Sequence, residues 1–260
     1  MIMTEKEFGV LCKQNGFQKM APNFYCRCYG DGLYQMIYSG FKKHYDGQAI
    51  MKNPSLANQQ SRYITIAVRS LFTRWEPNTF VVGRDCGEFN PGNMYPEVHS
   101  QTYVFSGIEE DYRIMEAYGF SMLNSISTQK DYLEFYCKSR RDKNSFRIHN
   151  EALVEPYLIS HNYYEASVEI AIALARRVIY LEDLHSNLLR AGKMDQYERL
   201  YNRTIQRLNI NKDLLRAISG KNYVFLCDYL ESSFQCNMEE IRRNNICIHQ
   251  DFQKAIISLP

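Results

Sequence analysis

Eight cysteines, six histidines and one short basic run hold most of the reactive chemistry in this 260-residue chain. Gly83-Arg84-Asp85-Cys86-Gly87-Glu88 sets a thiol between glycines in a polar stretch. Arg84 would favour the Cys86 thiolate, and His99, 13 residues on, would act as its base if the loop folded back. No known nucleophile signature surrounds Cys86. The competing reading, a turn whose glycines supply positive φ with an incidental thiol, is preferred. Cys26 and Cys28 share one face of a strand, and Cys247-x-His249 stands with Cys227 and Cys236 farther on. Neither set has the paired C-x2–4-C or H-x3–5-H spacing that zinc favours, so both read as core thiols. Lys138, Arg140, Arg141 and Lys143 form a basic run suited to phosphate contact. Asp131, Glu134 and Asp142 dilute that field, and a solvated linker is the simpler reading. His185 falls on an apolar helical stripe and reads as a hydrogen-bonded core histidine. The phosphate-binding glycine loops, the nucleophile elbow and the zincin helix are absent as motifs. No cofactor and no metal are expected.

Composition sets the bounds around these residues. The chain is 45% hydrophobic and 23% charged, enough for a buried core and a solvated surface. Net charge is +2; residues 1–150 carry 18 basic and 15 acidic side chains, and 151–260 carry 13 and 14. So balanced a distribution argues against a nucleic-acid partner. No run of 18 apolar residues occurs, which argues against a membrane span. The first 13 residues lack the apolar core of a secretory signal, so a cytoplasmic location with reduced thiols is expected.

The elements that must position these groups fall into two parts. Thr4 and Glu7 form a capping-box pattern for a helix over 5–14, which Asn15-Gly16 stops. Strands are expected over 17–28 and 33–45, joined by a tight turn at Gly30-Asp31-Gly32. A third strand spans 62–72, with Ile64, Ile66 and Val68 on one face, and 80–83 is a short fourth. Strands in direct succession imply an antiparallel meander. Residues 83–107, with three glycines and two prolines besides Gly107, read as an irregular arm. Helices then follow over 108–124, 128–138, 162–190, 194–208, 212–218 and 223–234, with a last short one starting at Asn237. Ala171, Leu174, Val178, Leu181, His185 and Leu188 mark the expected buried stripe of the longest. Gly192 and Gly220 are the expected stops.

The runs Gly16-Phe17-Gln18-Lys19, Asn23-Phe24-Tyr25-Cys26-Arg27 and Asp31-Gly32-Leu33-Tyr34-Gln35-Met36-Ile37 resemble the opening of the bacterial domain-of-unknown-function family 4304. That group shows a helix, a GFxK turn, an FYR-like strand and a second strand with Q-x-I. The resemblance covers roughly residues 1–75, including the strand at Tyr63-Ile64-Thr65-Ile66. It implies the sheet-building part of the fold and a bacterial or phage-type origin. It supplies no catalytic residues.

The expected fold is α+β: an N-terminal helix on an antiparallel sheet over 1–106, then an α-helical bundle over 107–260. The leading functional expectation is a protein–protein interaction factor of the inhibitor or immunity type. Its contact region would include Arg74, Trp75, Arg84 and Asp85, since Trp and Arg are frequent interface anchors. A cysteine-dependent enzyme using Cys86 and His99, and a nucleic-acid binder using the 138–143 run, are the alternatives.

Overall fold

A computed structural model of the chain describes residues 4–22, 24–43, 60–73, 102–106, 115–141, 153–186 and 194–257. The architecture is α+β, with an N-terminal helix, an antiparallel sheet and a run of helices after it. The chain divides into two compact units, Met1–Ile148 with Ser233–Ala255, and His149–Ser232 with Ile256–Pro260.

The first unit opens with α1, Glu5–Gln14. The Thr4 hydroxyl accepts from the Glu7 amide while the Glu7 carboxylate accepts from the Thr4 amide, so two orphan donors are satisfied reciprocally. At its far end Gly16 takes φ +76. The Phe17 amide then reaches the Cys12 carbonyl and the Gly16 amide the Lys13 carbonyl, which is a Schellman cap. Phe8 and Cys12 form the buried face of the helix.

Five strands follow in the order β1-β2-β3-β4-β5: Gln18–Ala21, Phe24–Tyr29, Leu33–Lys43, Gln60–Ser70 and Thr102–Ser106, each antiparallel to its neighbour. The expected single strand over 17–28 is a hairpin of two. Pro22 stands between them and has no N–H for a ladder. The β2–β3 turn is as expected, with Gly30 at φ +58 and Gly32 at φ +69. β5 lies inside the stretch read as irregular: its Thr-Tyr-Val-Phe run has strong strand preference, but the glycines and prolines before it mask the signal. The short strand expected at 80–83 lies outside the described residues.

Both sheet faces are buried across β2 and β3. Tyr25, Arg27, Gln35 and Ile37 sit on one, and Cys26, Cys28, Tyr34 and Met36 on the other. A π-helical turn, Met115–Gly119, leads into α2, Phe120–Ser125, whose Phe120 and Leu123 are buried. Phe120 meets Phe17 at 6.0 Å between ring centroids. Next comes α3, Gln129–Arg141. Asp131 in its first turn accepts from the Ser127 and Thr128 amides. Burial alone would raise that carboxyl, but the bonds from Thr128 and Ser127 outweigh it and hold it below the usual range.

The second unit is helical. α4 is Val154–Ile159, α5 Tyr163–Leu184 and α6 Met194–Ser219, and α7, Tyr223–Arg243, crosses the boundary between the units. The pairs expected over 194–218 and from 223 onward are single helices. Asn209, Asn211 and Lys212, and then Gln235 and Asn237, interrupt the apolar pattern without breaking the backbone ladder. Asn237 is not an N-cap. It is buried within α7 and its amide donates to the Leu71 and Thr73 carbonyls, both at 2.7 Å. Asn162 does occupy the cap position of α5, with no side-chain bond to the helix. The buried stripe of α5 is Ala166, Glu169, Ile170, Ala173 and Leu184, not the expected one. His185 is exposed and meets the Tyr197 hydroxyl at 3.3 Å. Gly220 follows α6 as expected, although Lys221 takes the positive φ of 53. Gly192 lies outside the described residues.

After α7 the chain returns to the sheet. Ile248 bridges Cys28, and Gln253 bridges Asp31, both in parallel. The Cys28 amide donates to the Cys247 carbonyl and the His249 amide to the Cys28 carbonyl, each at 2.9 Å. β1 pairs with β2 only as far as Cys26, so this strap takes over the β2 edge where β1 leaves it.

Candidate functional site

Of the reactive residues singled out by sequence, the described structure brings Cys26 and Cys28 of β2 together with Cys247 and His249 of the strap. Cys86, His99, Arg74, Trp75, Arg84, Asp85 and Lys143 lie outside the described residues. Lys138, Arg140 and Arg141 fall within the last turns of α3, whose side chains there are likewise outside them. Among the described residues no cluster of three His, Cys, Asp or Glu side chains is placed to hold a metal.

A groove in the first unit does bring chemistry together. Its volume is about 720 Å³, within the ordinary range for a binding pocket. Its walls come from α1, from the Gly16–Lys19 segment, from Tyr25 of β2 and from Cys247 of the strap. Lys6, Gly9, Val10 and Lys13 repeat at i, i+3, i+4 and i+7, so α1 presents one continuous face to the groove. Phe8 and Cys12, on the other face, are the anchors that allow this. Gly9 leaves the space over Tyr25 open: a Cβ there would already lie 3.3 Å from the Tyr25 hydroxyl. Tyr25 is fixed edge-on against Phe8, with ring centroids 5.6 Å apart.

The floor is apolar and the rim is cationic. Val10 is 52% exposed and is the solvent-facing apolar side chain of the floor. Lys6, Lys13 and Lys19 stand around it. Among the described residues Glu5 is the one acidic lining residue, and it is bound to Lys19 Nζ at 3.3 Å. Among the described residues neither Lys6 nor Lys13 enters an ion pair. The sequence carries a signal for this groove, the Lys6–Val10–Lys13 face, but a lysine–valine pattern has neither a nucleophile nor a metal ligand to mark it.

Behind the groove lies Arg27, 2% exposed. Its Nε and Nη2 donate to Gln35 Oε1 at 2.9 and 2.7 Å, Nη2 also to Asn124 Oδ1 at 2.6 Å, and Nη1 to the Asn15 carbonyl. The guanidinium carbon lies 4.3 Å from the Phe17 ring centroid and 4.1 Å from that of Tyr29. Burial brings its pKa down to about 10, against a smaller upward pull from Tyr29, so it stays charged at neutral pH. Gln35 in turn donates to the Leu123 and Ile126 carbonyls. The network ties β2 and β3 to the end of α1 and to α2. It is a structural tie behind the groove wall, since these bonds of Arg27 all go to neutral protein acceptors.

The thiols beside it are inert. Cys12, Cys26 and Cys28 are fully buried. Burial pushes Cys26 up to about 12, offset slightly by the Tyr34 hydroxyl, and raises Cys12 and Cys28 as well. Cys236, by contrast, is exposed. Iodoacetamide at pH 8 is therefore expected to label Cys236 in the folded chain and to leave Cys12, Cys26 and Cys28 unmodified until denaturant is added. Peptide mapping by mass spectrometry reads this directly, and fast labelling of Cys26 would contradict the burial argument.

No protein-family model, no curated protein and no solved structure matches this chain. The resemblance to family 4304 therefore rests on the quoted residues alone. No helix among the described residues is long and apolar enough to cross a membrane.

Proposed function

We propose that this chain is a protein-binding factor of the inhibitor or immunity type, and that its first unit engages the partner through the groove beside α1. The observation that carries this reading is a lysine-ringed groove in which Val10 is exposed above the buried Phe17 and Tyr25, beside β1. A concave, largely apolar pocket with a few charged groups at its rim is the usual form of a binding site. Exposed apolar side chains on α5, among them Tyr164 at 76% and Ile179 at 58%, favour a second contact on the other unit. The free thiols favour a reducing compartment such as the cytosol. The arm residues Arg74, Trp75, Arg84 and Asp85 are the remaining candidate contact.

Tagged protein purified from its source cells with nuclease present should carry a partner in near-equal amount. Val10→Glu places a charge on the groove floor at an exposed position, so the fold should survive and the partner should be lost. A Trp75→Ala, Arg84→Ala pair tests the arm in the same way. A partner retained by the Val10 variant and lost by the arm pair would move the site to the arm. Retention by both, with the folds intact, would exclude both surfaces.

A further inference from the structure

We infer that the occupant of this groove is an extended, acidic segment of the partner, added to the sheet as a strand beside β1; the inference rests on the protein-binding reading above. Three features of the first unit converge on it. Among the described residues β1 ends the sheet and pairs only with β2. The backbone groups on its outer edge thus offer a row of donors and acceptors to an incoming strand. The groove reaches this strand, since Gln18 and Lys19 belong both to β1 and to the groove wall.

The second feature is the floor. Gly9, Val10, Phe17 and Tyr25 make a recess beside the strand. A strand laid against β1 turns every second side chain to one face, so one apolar residue enters the recess while its neighbours stay outside. The third is charge. Lys6, Lys13 and Lys19 surround the recess, and the one lining carboxylate, Glu5, is held by Lys19. The groove therefore carries an excess of two positive charges on its lining side chains and selects an occupant of opposite sign. Lys6 and Lys13 are seven residues apart on α1, about 10 Å along a helix, which matches about three residues of extended chain. Carboxylates flanking a single apolar anchor are about 7 Å apart, a difference that the long lysine side chains can span.

Fluorescence anisotropy with the whole chain tests this. The probe is a fluorescein-labelled octapeptide alternating glutamate with valine. Its controls are the lysine–valine counterpart, a backbone N-methylated glutamate–valine peptide, and dodecanoate as a small hydrophobic anion. The glutamate–valine peptide should bind, and the lysine–valine peptide should not. N-methylation, which removes the strand hydrogen bonds, should weaken binding at least tenfold, and so should the pair Lys6→Glu with Lys13→Glu. Absence of peptide binding, or equal binding of the N-methylated peptide, overturns the strand. Binding of dodecanoate without the peptide reassigns the groove to a small amphiphile and overturns it too. The partner purification separates this failure from that of the broader reading. If Val10→Glu releases the partner and the lysine pair does not, the groove is a protein site and its occupant is not acidic. If neither variant releases it, the groove is not the partner site and the strand inference falls with it, while the arm pair still tests the protein-binding reading.

Discussion

Replacing Arg27 by alanine is expected to lower the stability of the first unit by about 4 kcal/mol. The size follows from what the side chain leaves behind. Gln35 Oε1, Asn124 Oδ1 and the Asn15 carbonyl all accept from it, and each would lose that donor. A buried acceptor stripped of its donor costs about 1–3 kcal/mol. The rings of Phe17 and Tyr29 lose a packed cation as well, worth roughly 1 kcal/mol or more where water is excluded. Water entering the gap recovers part of the sum, which brings it to the expected value. Lysine at 27 keeps the charge but not the fork, and one ammonium cannot span three acceptors, so Arg27→Lys should cost about half as much. Because the chain has two units, a single denaturation curve is a poor measure. Hydrogen exchange of the β2 and β3 amides against urea reports the first unit directly. A loss below about 1 kcal/mol would mean that the network is peripheral to stability.

Gly30→Ala should cost about 3 kcal/mol by the same measurement. Two independent penalties meet at this position. Its φ of +58 is a left-handed backbone that alanine adopts at a cost of about 1–2 kcal/mol. An added Cβ would also lie 2.6 Å from the Ser127 carbonyl carbon and closer still to its oxygen. That oxygen accepts from the Asp31 amide at 2.6 Å, so the turn and the segment before α3 are locked in contact. Neither backbone can retreat without breaking the bond, and overpacking of this kind costs about 1–3 kcal/mol. Gly220→Ala, which lies in the second unit and is read there by exchange of the α6 amides, is the control. There the nearest atom is the Arg216 carbonyl oxygen at 3.2 Å and no positive φ is involved, so a change within about 1 kcal/mol is expected. Equal effects at the two glycines would show that the Ser127 contact carries no weight.

Local chemistry makes several elements readable from the residues alone. The Thr4–Glu7 box needs only four consecutive residues to satisfy its donors, and the Gly30-Asp31-Gly32 turn needs only three. The alternation of Ile64, Ile66 and Val68 also points to a buried face, and all three are buried. Longer-range outcomes are not legible in this way. Arg27 lies on a strand face that alternation can describe but cannot bury. Its burial depends on acceptors from Asn15, Gln35 and Asn124, the last 97 positions away. The groove has the same dependence: the Lys6–Val10–Lys13 face is a local pattern, but its recess exists only because Tyr25 and Cys247 close the far side.

The helices divide along the same line. Periodicity identifies α5 as one long helix, but its middle, Ile170 to Ala175, is apolar all round, so no period singles out the buried face. Neighbouring helices select Ala166, Ile170 and Ala173, and leave Val178 and Ile179 exposed. By itself the sequence determined an α+β chain, the ends of α1 and the β2–β3 turn, because each rests on hydrogen bonds between residues a few positions apart. Only the tertiary structure decided which faces are buried, where the strap returns beside β2, and that a lysine-rimmed recess opens next to β1. Those outcomes are contacts between segments distant in the chain, and no local pattern specifies which distant surface arrives.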